Sequence, residues 1–248
     1  MIITYKPQGQ TTGQLTNEVR SKIKKKICYI GRLDPIASGI ACFLEDEECK
    51  LAANYIKFDK TYCFNLILGI STDSADPLGI IKKIDEISEV DEKFINFFND
   101  FKYMQKYPIY SSFVIKKDNL KKPLWYFAKN KILLDDKDIP QHEVYIKQLE
   151  KVGKSFIIKS PNYFINQIEK LDDEKGQCFR KNEIIEQYKN LDQLNLYAIP
   201  LVAKVSSGTY IRKLCEDIGN YLNIPAMADS IERIAFHFPE KFNNYDIL

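Results

Sequence analysis

Thr61-Tyr62-Cys63-Phe64-Asn65-Leu66-Ile67-Leu68-Gly69-Ile70 is an apolar run rich in β-branched and aromatic residues and free of proline, the pattern of a strand. It runs into Ser71-Thr72-Asp73-Ser74-Ala75-Asp76-Pro77-Leu78-Gly79, a polar loop made of turn formers. Ile80 to Ile84 then reads as the hairpin partner of the first run. Toward the N-terminus, Ile2 to Tyr5 is a short strand and Pro7 to Gln10 a turn. Thr11 or Thr12 caps a helix whose apolar residues Leu15, Val19 and Ile23 recur every four positions.

Toward the C-terminus, Val90 to Phe101 reads as a helix with Phe94, Phe97, Phe98 and Phe101 on one face, a core stripe and not a base-stacking platform. Tyr107 to Ser111 is extended, because Pro108 biases its predecessor away from helix. A short helix is expected over Leu124 to Lys129, and strands over Glu143 to Leu149 and Ser155 to Lys159. Residues from about Pro161 to Leu191 are polar and partly helical (Glu183 to Lys189), and they interrupt what reads as a hairpin. A strand from Leu196 to Val205, a bend, a helix from Ile211 to Leu222 and a last strand from Ile231 to Phe238 complete the order. Strands and helices are interspersed without strict βαβ alternation. The expected fold class is therefore α+β: one domain over 1–248, with a mostly antiparallel mixed β-sheet flanked by helices.

The composition, 45% hydrophobic and 28% charged over 248 residues, excludes a disordered, collagen-like or disulfide-scaffold chain. No apolar run approaches the length of a membrane span, and Met1 to Pro7 has no signal-like leader, so a soluble cytoplasmic protein is expected. Six cysteines without a CxxC pair and only two histidines argue against zinc; the cysteines read as reduced thiols, most of them small core side chains. The net charge of +2 decides little, but its distribution is uneven. Arg20, Lys22, Lys24, Lys25 and Lys26 form one basic cluster, and Lys116, Lys117, Lys121 and Lys122 another. Each alone reads as a solvated face; two in a nearly neutral chain suit a phosphate-bearing partner.

Phosphate-loop, dinucleotide-loop and zincin motifs are absent. Three other segments invite chemistry. Gly31-Arg32-Leu33-Asp34-Pro35-Ile36-Ala37-Ser38-Gly39 places a carboxylate in a glycine-bracketed loop, which is either a turn or a catalytic site. Ser207-Gly208-Thr209-Tyr210-Ile211-Arg212 is a small-residue bend whose following helix presents Arg212 in its first turn. With five arginines against thirty-one lysines, an arginine here is either a surface residue or one chosen for bidentate pairing with a carboxylate. Lys60-Thr61-Tyr62 sets a phenol beside a cation at a strand start, and alone reads as structural.

Taken in order, these segments resemble the TruB family of pseudouridine synthases. The likeness runs through Lys6-Pro7-Gln8-Gly9, the loop from Gly31 to Gly39, and Lys60-Thr61-Tyr62. It continues through Thr72 to Gly79, Pro108 to Ser111, Gly208 to Arg212 and Arg233 to Ala235. Seven short motifs in family order are far more specific than any one of them. The resemblance implies an RNA-modifying isomerase in which Asp34 is the nucleophile toward a flipped uridine, Arg212 pairs with it, and Tyr62 stacks on the base. It implies that Ile231 lines the apolar side of the pocket beside Tyr210. Lys60 and Tyr29 are further substrate contacts, and Arg20, Lys24, Lys25 and Lys26, with the 116–131 stretch, are the expected phosphate contacts. The implied substrate is RNA, by analogy uridine 55 in the T-loop of tRNA, with no metal and no cofactor.

Four departures accompany the likeness. Cys28-Tyr29-Ile30-Gly31 stands where the family usually has G-H-T-G, and Glu232 precedes Arg233 where two arginines are usual. The 161–191 stretch reads as an inserted element, facing RNA or a protein partner. The chain ends at Leu248, so a C-terminal PUA-type domain is expected to be absent, with its role supplied by that element or by another subunit. Three rival readings stand beside this one: an idle RNA-binding or RNA-folding protein on the same scaffold, a hydrolase using Asp73 and Asp76, and a homologue acting on rRNA or other RNA within a larger particle.

Overall fold

The Thr11 hydroxyl accepts a hydrogen bond from the Gln14 amide at 3.1 Å, and Gln14 Oε1 accepts the Thr11 amide at 2.7 Å. This reciprocal cap satisfies two donors that would otherwise be orphaned. It starts helix α1 (Thr12–Ile23) close behind strand β1 (Ile2–Lys6). Leu15 and Val19 bury that helix's apolar stripe against Ile2, Ile27, Ala41 and Phe43. In the computed structural model, residues 1–87, 89–172, 179–239 and 246–247 are described.

The order continues with β2 (Ile27–Ile30), β3 (Ser38–Glu45), α2 (Ala52–Tyr55), β4 (Lys60–Leu68), β5 (Ile70–Thr72), β6 (Ile81–Ile84), α3 (Phe94–Phe98) and β7 (Phe101–Lys106). Next come β8 (Val114–Lys117), β9 (Leu120–Pro123), α4 (Leu124–Lys129), β10 (Gln141–Lys151) and β11 (Phe156–Ile158). The chain closes with α5 (Asn162–Glu169), α6 (Lys181–Lys189), β12 (Leu196–Val205), α7 (Ile211–Leu222), β13 (Ala226–Phe236) and β14 (Asp246–Ile247). The main sheet runs β14-β1-β3-β13-β4-β12-β10-β7, with β2 on β3 and β11 on β12. Among the described residues only β1–β14 and β3–β13 pair in parallel, so the sheet is mixed and mostly antiparallel, and the α+β class holds.

Strand alternation splits the core into two layers. Phe64, Leu66 and Leu68 of β4 face α7 and α3, meeting Ile211, Leu214, Ile218, Phe94 and Phe98. Ile67 faces the other way, toward α5 and α6, where Phe164, Ile165, Ile168, Ile184 and Tyr188 form the second layer. The 161–191 stretch is thus a helix pair set between two adjacent strands, with an apolar inner side. Its 173–178 portion, including Cys178, lies outside the described residues. The other five cysteines are free thiols, Cys42 and Cys215 buried. No helix among the described residues is long and apolar enough to cross a membrane.

Two expectations change in detail. The strand beginning at Thr61 is broken at Gly69, whose φ of 100° redirects the chain. Ile70–Thr72 therefore pairs with Ile81–Ile84 in a small sheet of its own. The helix expected over Val90 to Phe101 shrinks to Phe94–Phe98. Asn99 is extended and its side-chain carbonyl accepts the Leu149 amide at 2.8 Å, and Asp100 sits at φ 53°. Sheet pairing of Phe101 with Ile146 outcompetes helix propagation there. Phe94 and Phe98 still bury as the stripe requires, while Phe97 is half-exposed and stacks on Tyr221.

Candidate active site

The loop between β2 and β3 is fastened from several sides, and its one polar side chain of interest is left facing outward. Leu33 and Ala37 insert into the α7-side core and Ile36 into the α5–α6 side. Thr12 Oγ1 donates to the Leu33 carbonyl at 2.9 Å and accepts the Leu33 amide at 3.2 Å. The Gly9 amide donates to the Pro35 carbonyl at 2.9 Å. Lys6 is fully buried, and its ammonium donates to the carbonyls of Pro7, Pro35 and Ala37 at 3.1, 3.3 and 2.5 Å. Burial pushes the Lys6 pKa down to about 8, while Asp34 pulls it the other way. Gly39 closes the loop at φ 112°, where a Cβ would lie 2.3 Å from the Arg233 carbonyl. Only glycine lets β3 approach β13 this closely.

Anchoring of Leu33, Ile36 and Ala37 leaves the Asp34 carboxylate a third exposed, pointing at the start of α7. Tyr210 is the N-cap of that helix, and Arg212 lies in its first turn, 3% exposed. Arg212 Nε donates to Asp34 Oδ2 at 2.7 Å and Nη2 to Asp34 Oδ1 at 3.3 Å, a two-pronged pairing. Two further donors are also used: Nη1 reaches the Ser74 carbonyl at 2.7 Å and Nη2 the Tyr110 carbonyl at 3.1 Å. Asp76 Oδ2 lies 3.6 Å from Arg212 Nε, so two carboxylates flank one guanidinium. Asp76 is itself held by the Ser74 hydroxyl at 2.5 Å and the Leu78 amide at 2.9 Å. Burial pushes the Asp76 pKa up to about 6, against the downward pull of Arg212.

This pair lies in a cleft of about 940 Å³ lined by, among others, Leu33, Tyr62, Tyr210 and Ile231. Tyr62 and Ile231 are buried, at 8% and 5% exposure, and present apolar surface beside the charged pair. Burial pushes the Tyr210 phenol up to about 12, so it stays protonated at neutral pH. A charged carboxylate under a guanidinium fork, walled by aliphatic and aromatic groups, suits attack on a flat, uncharged ring that must be kept from water.

Residues 20–158 match the model of the TruB family pseudouridylate synthase, N-terminal domain. That match covers more than half the chain. The chain belongs to the TruB family. The tRNA pseudouridine synthase B of Mesoplasma florum is 30% identical over 239 residues, covering 94% of this chain and 67% of that protein. The tRNA pseudouridine synthase B of Mycoplasma capricolum subsp. capricolum is 31% identical over 232 residues, covering 90% of this chain and 63% of that protein. A solved Cbf5-Nop10-Gar1 complex contains a chain with the same fold, at a TM-score of 0.56 and 15% identity, covering 100% of this chain and 51% of that one. The chain thus spans about two thirds of the length of its curated relatives and about half that of the solved chain.

Within this TruB chain, Asp34, Tyr62, Tyr210, Arg212, Ile231, Lys60 and Tyr29 all line the cleft. Their orientations differ. Lys60 is buried with its ammonium on the carbonyls of Ile56 and Phe58, at 2.9 and 2.6 Å, and its pKa is pushed down to about 8 by burial. Its charge is spent mainly on its own chain. Tyr29, standing where the resemblance leads one to expect histidine, accepts a hydrogen bond from Arg32 Nη2 at 2.6 Å at the cleft wall. Arg20, Lys24, Lys25 and Lys26 are exposed at the end of α1 and just beyond it, away from the cleft lining. Lys25 bonds Glu45 at 2.8 Å. The Lys116–Lys122 cluster is the β8–β9 hairpin.

Four residues outside the sequence-based site belong to its architecture. Lys6 bolts the Asp34 loop. Asp76, read as a turn former, does cap its turn but also faces Arg212. Asp73 pairs through both carboxylate oxygens with Arg180, at 2.7 and 2.9 Å. Both aspartates of the rival hydrolase reading are therefore committed to guanidinium groups. Among the described residues no group of three or more His, Cys, Asp or Glu side chains is arranged to hold a metal. The clue to Asp76 was its place in the Thr72–Gly79 motif. Nothing local in the sequence pointed to Arg180.

Proposed function

We propose that this chain converts uridine to pseudouridine in RNA, with uridine 55 of the tRNA T-loop as its target and Asp34 as nucleophile. The observation that carries the reading is the Asp34–Arg212 pairing at the floor of an open, largely apolar cleft. The names of the two relatives, both tRNA pseudouridine synthase B, support the choice of RNA class.

The proposed chemistry assigns each of these groups a task. Arg212 holds the Asp34 carboxylate through two hydrogen bonds, orienting an oxygen for attack at base C6 or ribose C1′ of an extruded uridine. Either route breaks the bond between C1′ and N1. The uracil turns within the pocket, and C5 bonds to C1′. C5 gives up its proton and N1 ends protonated, so the isomer has the same atoms as the substrate. Tyr62 and Ile231 clamp the ring during its rotation, because a detached base that reached solvent would be lost. Extruding the nucleotide costs a few kcal/mol, offset by phosphate contacts from the basic surfaces on α1 and the β8–β9 hairpin.

The test is incubation of the protein with tRNA transcripts labelled with tritium at uridine C5, followed by mapping of pseudouridine positions. Tritium release confined to position 55 and abolished by Asp34→Ala is the expected result. Release from rRNA fragments alone would move the substrate to the larger-particle reading. Full activity of Asp34→Ala would remove the nucleophile assignment.

A further inference from the structure

We propose that Arg180, contributed by the 161–191 helical segment, is a positioning residue of this site: it fixes the two backbone carbonyls that hold Arg212 against Asp34. The proposal rests on the reading of the chain as a uridine isomerase. Arg180 is the N-cap of α6, held at φ 53°, and its side chain reaches the edge of the cleft. Its Nη1 and Nη2 donate to Asp73 Oδ2 and Oδ1 at 2.7 and 2.9 Å. Its guanidinium carbon lies 5.0 Å from the centroid of the Tyr110 ring. Tyr110 closes the triangle by donating its hydroxyl to Asp73 Oδ2 at 3.1 Å.

The two residues thus gripped flank the carbonyls on which Arg212 depends. Ser74, whose carbonyl accepts Arg212 Nη1, follows Asp73 directly, and Tyr110 supplies the carbonyl that accepts Nη2. Asp73 also accepts the Ile80 amide at 2.8 Å, which locks the far end of the same loop. Arg180 therefore ties the two separate loops that carry these carbonyls to each other. Its own base is firm. Gln187 of α6 accepts the Ile81 amide at 2.9 Å, Tyr163 of α5 donates to Asp229 at 2.8 Å, and Gln8 donates to Gln167 of α5 at 3.0 Å. Gly9 packs so closely on the end of α5 that a Cβ there would lie 2.1 Å from the Lys170 carbonyl. The helix pair thus joins the Lys6–Gly9 motif to the Thr72–Gly79 motif from behind the site.

A direct phosphate contact is the competing role for an arginine at a cleft edge. The geometry favours positioning, because both terminal nitrogens are already engaged by one carboxylate in a fork-to-fork pair and one face lies on Tyr110. A phosphate would be left with the N–H groups this pair does not use, the Nε–H and the second hydrogen of each terminal nitrogen.

The experiment compares wild type, Arg180→Ala, Arg180→Lys, Asp73→Asn and the Arg180→Ala/Asp73→Asn double variant on a tRNA T-arm transcript. Single-turnover rate at saturating enzyme, RNA Kd and thermal midpoint are measured for each. Displacing a reacting group by about an ångström costs on the order of 100-fold in rate, so Arg180→Ala is expected to lose roughly 10- to 100-fold, with Kd within about threefold. Arg180→Lys falls between, since one ammonium keeps the charge without the fork. The double variant is no more than about twofold slower than the worse single variant, because both act through one link. A purely structural brace would lower the thermal midpoint of every variant but leave the rate of the folded Arg180→Lys and Asp73→Asn proteins intact, and that result overturns the proposal. So does a weakened Kd with an unchanged rate, which makes Arg180 an RNA contact. Active wild type with equally active variants sinks this inference alone, whereas wild type inactive on all RNAs sinks the isomerase reading and this inference together.

Discussion

Replacing Arg212 with lysine probes the site at its centre, because it keeps the charge and removes the fork. Arg212 makes four hydrogen bonds from three nitrogens: two to Asp34 and one each to the carbonyls of Ser74 and Tyr110. A lysine ammonium has one nitrogen on a flexible stem and cannot span these positions, so at least one charge-assisted bond to Asp34 is lost. Such a bond contributes roughly 1.5–3 kcal/mol, and at about 1.4 kcal/mol per factor of ten this corresponds to roughly 10- to 160-fold in kcat/KM. The guanidinium is buried, so the abandoned carbonyls add a stability cost of about 1–3 kcal/mol each where water cannot replace the donor. The assay is single-turnover tritium release from a uridine-labelled transcript, run beside chemical unfolding. A variant that turns over within about threefold of wild type, with normal RNA affinity, would refute the claim that the paired geometry, and not charge alone, readies Asp34.

Asp76 yields a pH prediction. Its folded-state pKa of about 6 stands above the ordinary aspartate value of 3.8, so the native state holds a proton that the unfolded chain releases between these values. This group's contribution to stability therefore falls as pH rises from about 4 to about 6, by on the order of 3 kcal/mol, and Asp76→Asn removes that slope. Urea unfolding of both proteins at pH 4 and pH 7 measures it; parallel pH dependences would contradict the burial argument. Tyr62→Phe keeps the ring against the base and removes only the hydroxyl. RNA Kd is expected to stay within about twofold while turnover drops at least about tenfold, and equal turnover would confine Tyr62 to stacking. Neutralising Lys24, Lys25 and Lys26 should weaken binding and flatten its salt dependence, by roughly 0.7–0.9 in slope for each phosphate that the lysines neutralise in the wild type. An unchanged slope in a salt titration would make this patch an ordinary solvated surface.

Local signals were strong where one physical force acts alone. Thr11, the four-residue apolar repeat and the proline-free strands specify their elements by capping, by burial of one helix face and by pleating. The structure keeps them with small shifts at their ends. The same signals misled at Phe101 and Gly69, where pairing with distant strands decided the outcome. Phe101 carries a helical stripe, yet its backbone belongs to a ladder with Ile146, forty-five residues further along the chain. Motif order pointed to the site, but motif order is silent on which donor meets which acceptor.

By itself the sequence determined the residue types: a lone loop carboxylate after Leu33, an arginine in a lysine-rich chain, and an interspersed order of strands and helices with no linker. The tertiary structure alone decided that Asp34 and Arg212, 178 positions apart, lie 2.7 Å from each other. It also turned Asp76 toward the same guanidinium and Arg180 toward Asp73, and it made a polar stretch into the second layer of the core. The physical reason is range. Capping and periodicity act within one or two turns and leave a trace in neighbouring letters. A hydrogen bond between loops arises only after the sheet between them has fixed both backbones, and no local pattern records it.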